Sequence, residues 1–244
     1  MARKNILLLC NGLSGSGKTY FIENFLGRDA AYNLKSMTTR QMRDGESWGE
    51  KYYFVDADVF DQVPTATTLF VNRAFWTPGK PKWLYGVPEF EIYNHLGGHL
   101  VYDVIQPRYS RHLIDWFNLR GLDKYYDYRV LWFLAPENNM EIAGKRANMP
   151  DDGLVRTKNT CDAIDFLRAD LRPDYLLKSS ESETIIPGDL TKLCDYMKQG
   201  EITHRAVPKR YPVQKHILET LAEKAQNPEK ISAEMIRTLL VRDR

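Results

Sequence analysis

Gly12-Leu13-Ser14-Gly15-Ser16-Gly17-Lys18-Thr19 fits the phosphate-binding pattern G-x-x-x-x-G-K-[ST], and no other stretch constrains the fold of this chain as strongly. The run before it, Asn5 to Cys10 (NILLLC), reads as a short buried strand, and Tyr20 to Leu26 reads as the start of a helix. A strand, a glycine loop and a helix in that order form an anion cradle. Glycines let successive N–H groups turn inward, at a helix N-terminus that carries partial positive charge. Gly12, Ser14, Gly15, Ser16 and Gly17 are therefore expected to surround the phosphates of a nucleotide. Lys18 is expected to reach the β- and γ-phosphates of ATP, and the Thr19 hydroxyl to hold Mg²⁺.

Further strand-like runs occur at Leu69–Asn72, His99–Val104, Tyr128–Leu134 and Asp174–Leu177. Helical patterns fall between them at Thr19–Leu26, Pro88–Leu96, Tyr109–Leu119, Met140–Ala147 and Lys158–Leu171. Alternation of this kind predicts an α/β protein with a mostly parallel sheet covered on both faces. Residues 32–60 are polar, aromatic and turn-rich, as suits a small lobe built onto a nucleotide-binding core. After Gly200 a basic, proline-punctuated segment leads into two short amphipathic patterns, Val213–Gln226 and Ser232–Arg242. This tail is either a packing element or an interaction arm.

A chain of 244 residues with 43% hydrophobic and 27% charged residues reads as a globular protein, and no run approaches a membrane span. A net charge of +2 gives no reason to expect nucleic acid or a membrane surface as partner. Cys10, Cys161 and Cys194 share no metal-ligand spacing and read as reduced thiols of a cytoplasmic protein.

Thr38 to Phe54 reads TTRQMRDGESWGEKYYF. Here the chain resembles the guanylate kinase family, whose acceptor region carries T-T-R-x-x-R-x-G-E-x-x-G-x-x-Y-x-F. Val55 to Phe60, the pair Tyr85-Gly86 and the strand HLVYDV continue the resemblance, which covers roughly residues 5–180. It implies a P-loop kinase fold over residues 1–200, with a guanylate kinase-like acceptor lobe over about residues 32–88, a lid over about 140–158, and a C-terminal helical extension over 201–244.

The same resemblance implies that Arg40, Arg43, Tyr52 and Tyr85 hold the acceptor monophosphate, with Ser36 near its base. Guanidinium forks match phosphate oxygens and stay charged, and phenols add O–H donors. Surface arginines paired with Asp44 or Glu46 are the alternative. Asp103, after an apolar strand, is expected to orient Mg²⁺ or its water shell, with a buried neutral aspartate as the alternative. Lys145, Arg146 and Arg156 flank a Pro-Asp-Asp-Gly turn in the lid region. Of these, Arg146 and Arg156 are expected to join Lys18 and Arg40 in stabilising the transferred phosphoryl group.

The resemblance breaks at the base. Guanylate kinases read guanine with a glutamate, yet no Asp or Glu occurs from Gln62 through Pro88. Asn72 stands nearest to that position, Val87 replaces a small hydroxyl residue, and Ile105 replaces an aspartate. An insertion over Thr77–Lys82 reshapes the same wall, with Trp76 and Trp83 able either to stack on a base or to pack. The expectation is an ATP-dependent nucleoside monophosphate kinase, the acceptor a small nucleotide other than plain GMP, with a deoxynucleotide favoured. A sugar phosphate, a modified-base hydroxyl in DNA, and a non-catalytic binding module are the other readings.

Overall fold

In a computed structural model of the chain, residues 4–13, 15–70, 83–104, 106–134, 170–179 and 184–199 are described. Strand β1, Asn5–Gly12, is buried along its whole length. It runs parallel to β7 (Leu100–Val104) on one side and to β8 (Tyr126–Leu134) on the other. The sheet order is β10-β9-β8-β1-β7-β2, with β2 at Tyr32–Asn33, β9 at Tyr175–Ser179 and β10 at Thr184–Ile185. Among the described residues of this sheet, only the edge strand β10 pairs antiparallel. The mostly parallel sheet expected from the sequence is this one. A continuous apolar run suits a strand that loses water on both faces.

β1 extends two residues past the apolar run because Asn11 finds buried partners. The Ser110 hydroxyl donates to Asn11 Oδ1 at 2.7 Å, and Asn11 Nδ2 donates to the Leu9 carbonyl at 3.0 Å. Ser110 lies on helix α4, Pro107–Leu119, which starts with proline in its first turn and packs on β1 and β7. On the Leu8 and Cys10 side, Phe21, Ile22 and Leu26 join Leu190 and Cys194 in the core. The first three belong to the π-helical stretch Phe21–Gly27, which continues helix α1, Lys18–Tyr20. The last two belong to α5, Gly188–Lys198.

A second sheet has the order β4-β3-β6-β5: β3 Ser36–Thr38, β4 Tyr52–Phe54, β5 Thr65–Phe70 and β6 Leu84–Pro88. β3 pairs parallel with β4 and antiparallel with β6, which pairs antiparallel with β5. The strand expected at Leu69–Asn72 thus begins four residues earlier and belongs to this mixed sheet. Its opening Thr-Ala-Thr-Thr is β-branched but polar, so an apolar criterion passes over it. Helices α2 (Ala57–Gln62) and α3 (Glu89–Asn94) contribute Val59, Phe60 and Phe90 to a core with Met37 and Tyr53. The described residues form two compact units, 4–33 with 97–199, and 34–70 with 83–96. The lid region, the 201–244 extension and the helices expected at Met140–Ala147 and Lys158–Leu171 lie outside the described residues, Asp170 and Leu171 excepted.

Two buried polar groups hold these units internally. In the second, Glu91 is fully buried and accepts the Lys35 backbone N–H at 3.0 Å and the Tyr53 hydroxyl at 2.8 Å. In the first, His99 Nδ1 accepts the Ile6 N–H at 2.9 Å, so that nitrogen carries no proton. Burial holds the His99 pKa below its ordinary 6.5.

Glu91→Ala strands a buried amide and a buried phenol, and is expected to cost about 3 kcal/mol in urea melts. Glu91→Gln, which keeps a carbonyl acceptor, is expected to lose less; equal losses would contradict the role. For His99 the unfolded chain binds a proton more readily than the folded one. Its contribution is therefore complete above the ordinary histidine value and is lost as pH falls toward the depressed folded value. His99→Gln is expected to flatten the slope of stability against pH between about 5 and 7, read by thermal melts.

Candidate functional site

One cluster of candidate residues, within the first unit, forms where β1 ends. A Cβ at Gly12 would lie 2.5 Å from Ser16 Oγ and 2.8 Å from Phe133 Cβ, so the strand can turn there only as glycine. Gly15 and Gly17 take φ of 77° and 92°, the left-handed region that side chains avoid. Phe21 N–H donates to the Gly17 carbonyl at 2.9 Å and starts the helix. Lys18 is buried and folds back on its own loop, donating to the carbonyls of Gly12 at 2.7 Å and Leu13 at 3.0 Å.

Parallel pairing sets Cys10 opposite Asp103, which brings that carboxylate to the loop. Asp103 Oδ1 lies 3.7 Å from Lys18 Nζ, and Asp103 Oδ2 accepts from the Thr19 hydroxyl at 3.5 Å. The Ser16 hydroxyl is buried in the same loop with no hydrogen-bond partner among the described residues. An unmatched donor, a glycine cradle and a lysine resting on loop carbonyls together fit an incoming polyphosphate. Thr19 and Asp103 offer two hard oxygen ligands, as suits Mg²⁺ that keeps waters and substrate oxygens. Among the described residues no cluster of three His, Cys, Asp or Glu side chains could hold a metal by itself. Beneath the loop, burial and then Asp103 push the Cys10 thiol pKa up, so it stays protonated and unreactive.

A separate cluster of candidate residues lies in the other unit, around β3. Its register places Ser36 opposite Tyr52 and Thr38 opposite Tyr85, so the central strand carries one phenol on each flank. The two rings lie 5.7 Å apart, edge to face. Gly86 is required by close approach: a Cβ there would sit 2.6 Å from the Thr67 carbonyl oxygen. Arg40, just past β3, is buried; its Nε donates to Tyr85 Oη at 3.2 Å, and its Nη1 and Nη2 meet Glu46 at 2.9 and 2.7 Å. Burial lowers the Arg40 pKa, but the Glu46 and Tyr85 contacts outweigh it and leave it raised. The same Arg40 hydrogen bond holds Glu46 below the usual carboxylate range. Arg43 is exposed, and its backbone N–H donates to Glu46 at 2.8 Å.

Lys18, Thr19 and Asp103 thus converge in the first unit, and Arg40, Tyr52 and Tyr85 in the second. Val87 is wholly buried, with its N–H donating to the Thr67 hydroxyl at 3.3 Å. Trp83 is 39% exposed. Ser14, Asn72, Trp76, Ile105, Lys145, Arg146 and Arg156 lie outside the described residues. Sequence reasoning treated Glu46 only as a neutralising neighbour; its place after Gly45 in the motif was the available signal for more. No described helix is long and apolar enough to cross a membrane.

No family model matches the chain. It is similar to the guanylate kinase of Buchnera aphidicola subsp. Schizaphis graminum, with 42% identity over 203 residues, 75% of this chain and 84% of that protein. The guanylate kinase of Chromohalobacter salexigens matches at 27% over 164 residues, covering 66% of this chain and 70% of that one. With the guanylate kinase of Novosphingobium aromaticivorans the match is 30% over 105 residues, and the chain spans 45% of that protein's length. A solved guanylate kinase from Anaplasma phagocytophilum overlays at a TM-score of 0.44 and 17% identity, covering 89% of this chain and 95% of that one, too loose a fit to add to these matches. Given the extent and identity of the Buchnera match, the chain belongs to the guanylate kinase family.

Proposed function

We propose that this chain transfers the γ-phosphoryl group of ATP to a nucleoside monophosphate other than plain GMP, with a deoxynucleotide as the favoured acceptor class. One observation carries the specificity: the phosphate-side motif is intact, yet no carboxylate occurs from Gln62 through Pro88. The first carboxylate after that stretch, Glu89, opens helix α3, and Glu91 two residues on is spent on Lys35 and Tyr53 inside the core. Guanine presents N–H donors that a carboxylate accepts in pairs, whereas Asn72 offers one acceptor and one donor. A pocket that leaves such groups unpaired rejects the base strongly.

In this reading Lys18 leaves the carbonyls of Gly12 and Leu13 to neutralise the β- and γ-phosphates. Ser16 and the loop N–H groups hold the remaining oxygens. Thr19 and Asp103 hold Mg²⁺, which when bound supplies positive charge to the β/γ oxygens. Arg40, Arg43, Tyr52 and Tyr85 align the acceptor phosphate, and Arg146 and Arg156 add charge to the transferred group. No general base is needed, because a phosphate monoester is largely ionised at neutral pH. Retention of this monoester-binding set weighs against a hydroxyl acceptor such as a base within DNA.

An ADP-release assay over ribo- and deoxyribonucleoside monophosphates tests the reading. Selective turnover of one acceptor is expected, and efficient turnover of GMP would defeat the specificity argument. Lys18→Ala is expected to lower kcat by about a hundredfold or more, with the fold retained in thermal melts. The pair Asn72→Glu and Val87→Ser is expected to raise GMP turnover at least about tenfold. No gain would mean that the base is read elsewhere.

A further inference from the structure

Asn11 is the last side chain of β1 before the glycine loop turns away, and it stands where the strand pattern calls for an apolar residue. Leu8 and Cys10 join the core cluster of Phe21 and Leu190, whereas Asn11, of the opposite parity, faces α4. Asn11 is fully buried, and so is Ser110. A buried carboxamide costs stability unless its polar atoms are matched, and here both ends are: Oδ1 accepts the Ser110 hydroxyl at 2.7 Å, and Nδ2 donates to the Leu9 carbonyl at 3.0 Å. A leucine would bury here without needing partners. What the amide adds is direction.

The next residue is where the loop leaves the strand. Gly12 is closed in on one side, since a Cβ there would meet Ser16 Oγ at 2.5 Å and Phe133 Cβ at 2.8 Å. Its carbonyl and that of Leu13 receive the Lys18 ammonium at 2.7 and 3.0 Å, and the Leu13 carbonyl also accepts the Ser16 N–H at 3.1 Å. Lys18 thus braces the loop entry from within. A polyphosphate that draws the ammonium away removes that brace. The bond between Asn11 and Ser110 involves neither Lys18 nor any loop atom, so it persists when the lysine leaves. It ties the loop entry to α4, which packs on both β1 and β7.

We propose that Asn11 and Ser110 are positioning residues for the donor nucleotide: their hydrogen bond holds the loop entry against α4 while Lys18 exchanges loop carbonyls for the polyphosphate. This rests on the reading of the loop as an ATP site. Neither side chain touches the nucleotide; each acts through the placement of Gly12 and Leu13. A merely structural tie behaves differently in one respect. Replacing both partners by apolar groups strands no buried polar atom, so it restores most of the stability that either single change loses. It does not restore a directional bond. Stability then recovers while nucleotide affinity stays low.

The test is a cycle of Asn11→Leu, Ser110→Ala and the double variant, read by thermal melts and by calorimetric titration with Mg-ATP in the absence of any acceptor. Each single change is expected to lower the melting temperature, and the double variant to regain most of the loss. All three are expected to bind Mg-ATP about tenfold more weakly, with the double variant no weaker than the weaker single. In turnover, ATP KM is expected to rise while acceptor KM stays within about twofold. Wild-type affinity in the double variant, or affinity that follows the melting temperature across the cycle, overturns the proposal. Should the Asn11→Leu chains fail to fold, Ser110→Ala is compared with Ser110→Thr, which keeps the hydroxyl and is expected to bind as the wild type does. Equal affinity in those two overturns it as well. Wild-type protein that binds Mg-ATP but turns over no monophosphate defeats the acceptor reading alone, and the cycle still decides the tie. Wild-type protein that binds no Mg-ATP defeats both.

Discussion

The register between β1 and β7 decides what the phosphate loop can do. Because Cys10 sits opposite Asp103, the carboxylate arrives beside Lys18 and Thr19 rather than a residue to either side. A slip by one position would turn Asp103 to the opposite face of the sheet and leave the loop without its acid. That register is held by burial of the whole of β1 and by two polar ties. Ser110 fastens Asn11 at one end of the strand, and His99 fastens Ile6 at the other. Both ties involve groups that would cost stability if left unpaired, so they specify alignment as well as adding to it.

The second unit solves a different problem, that of placing cationic and phenolic groups without letting them collapse onto the surface. Its central strand β3 sets one tyrosine on either flank, and the Arg40 guanidinium is held among aromatic rings and a carboxylate. Arginine suits this position because it remains charged in a confined setting and presents its donors in a plane. Lys35 plays the quieter part, with its ammonium on the Gly49 carbonyl at 2.7 Å and its backbone on Glu91.

Much of this was legible before any coordinates. NILLLC announced β1 and the glycine spacing announced the loop, because both depend on local chemistry. β5 was misplaced because threonines mark a strand by shape rather than by hydrophobicity. α4 was read from Tyr109 although Pro107 opens it, since proline fits a first turn as readily as it ends a helix. The burial of Glu91 could not be read at all: its partners lie 56 and 38 positions away in sequence. For Arg40 the sequence left a phosphate and an acidic neighbour open, and in the structure Glu46 meets both arms of the fork.

Gly86 gives the second unit a property that its stability alone would not reveal. With the Thr67 carbonyl oxygen 2.6 Å from where a Cβ would stand, β5 and β6 approach as closely as a bare backbone allows. The phenol next in sequence, Tyr85, inherits its position from that spacing. A methyl group at residue 86 would act as a wedge, and the displacement would pass along β6 to a hydroxyl several bonds away. Drift at this glycine would therefore be felt at the Tyr85 hydroxyl as well as in the packing of the two strands, and the position of the tyrosine depends on the bareness of the glycine beside it.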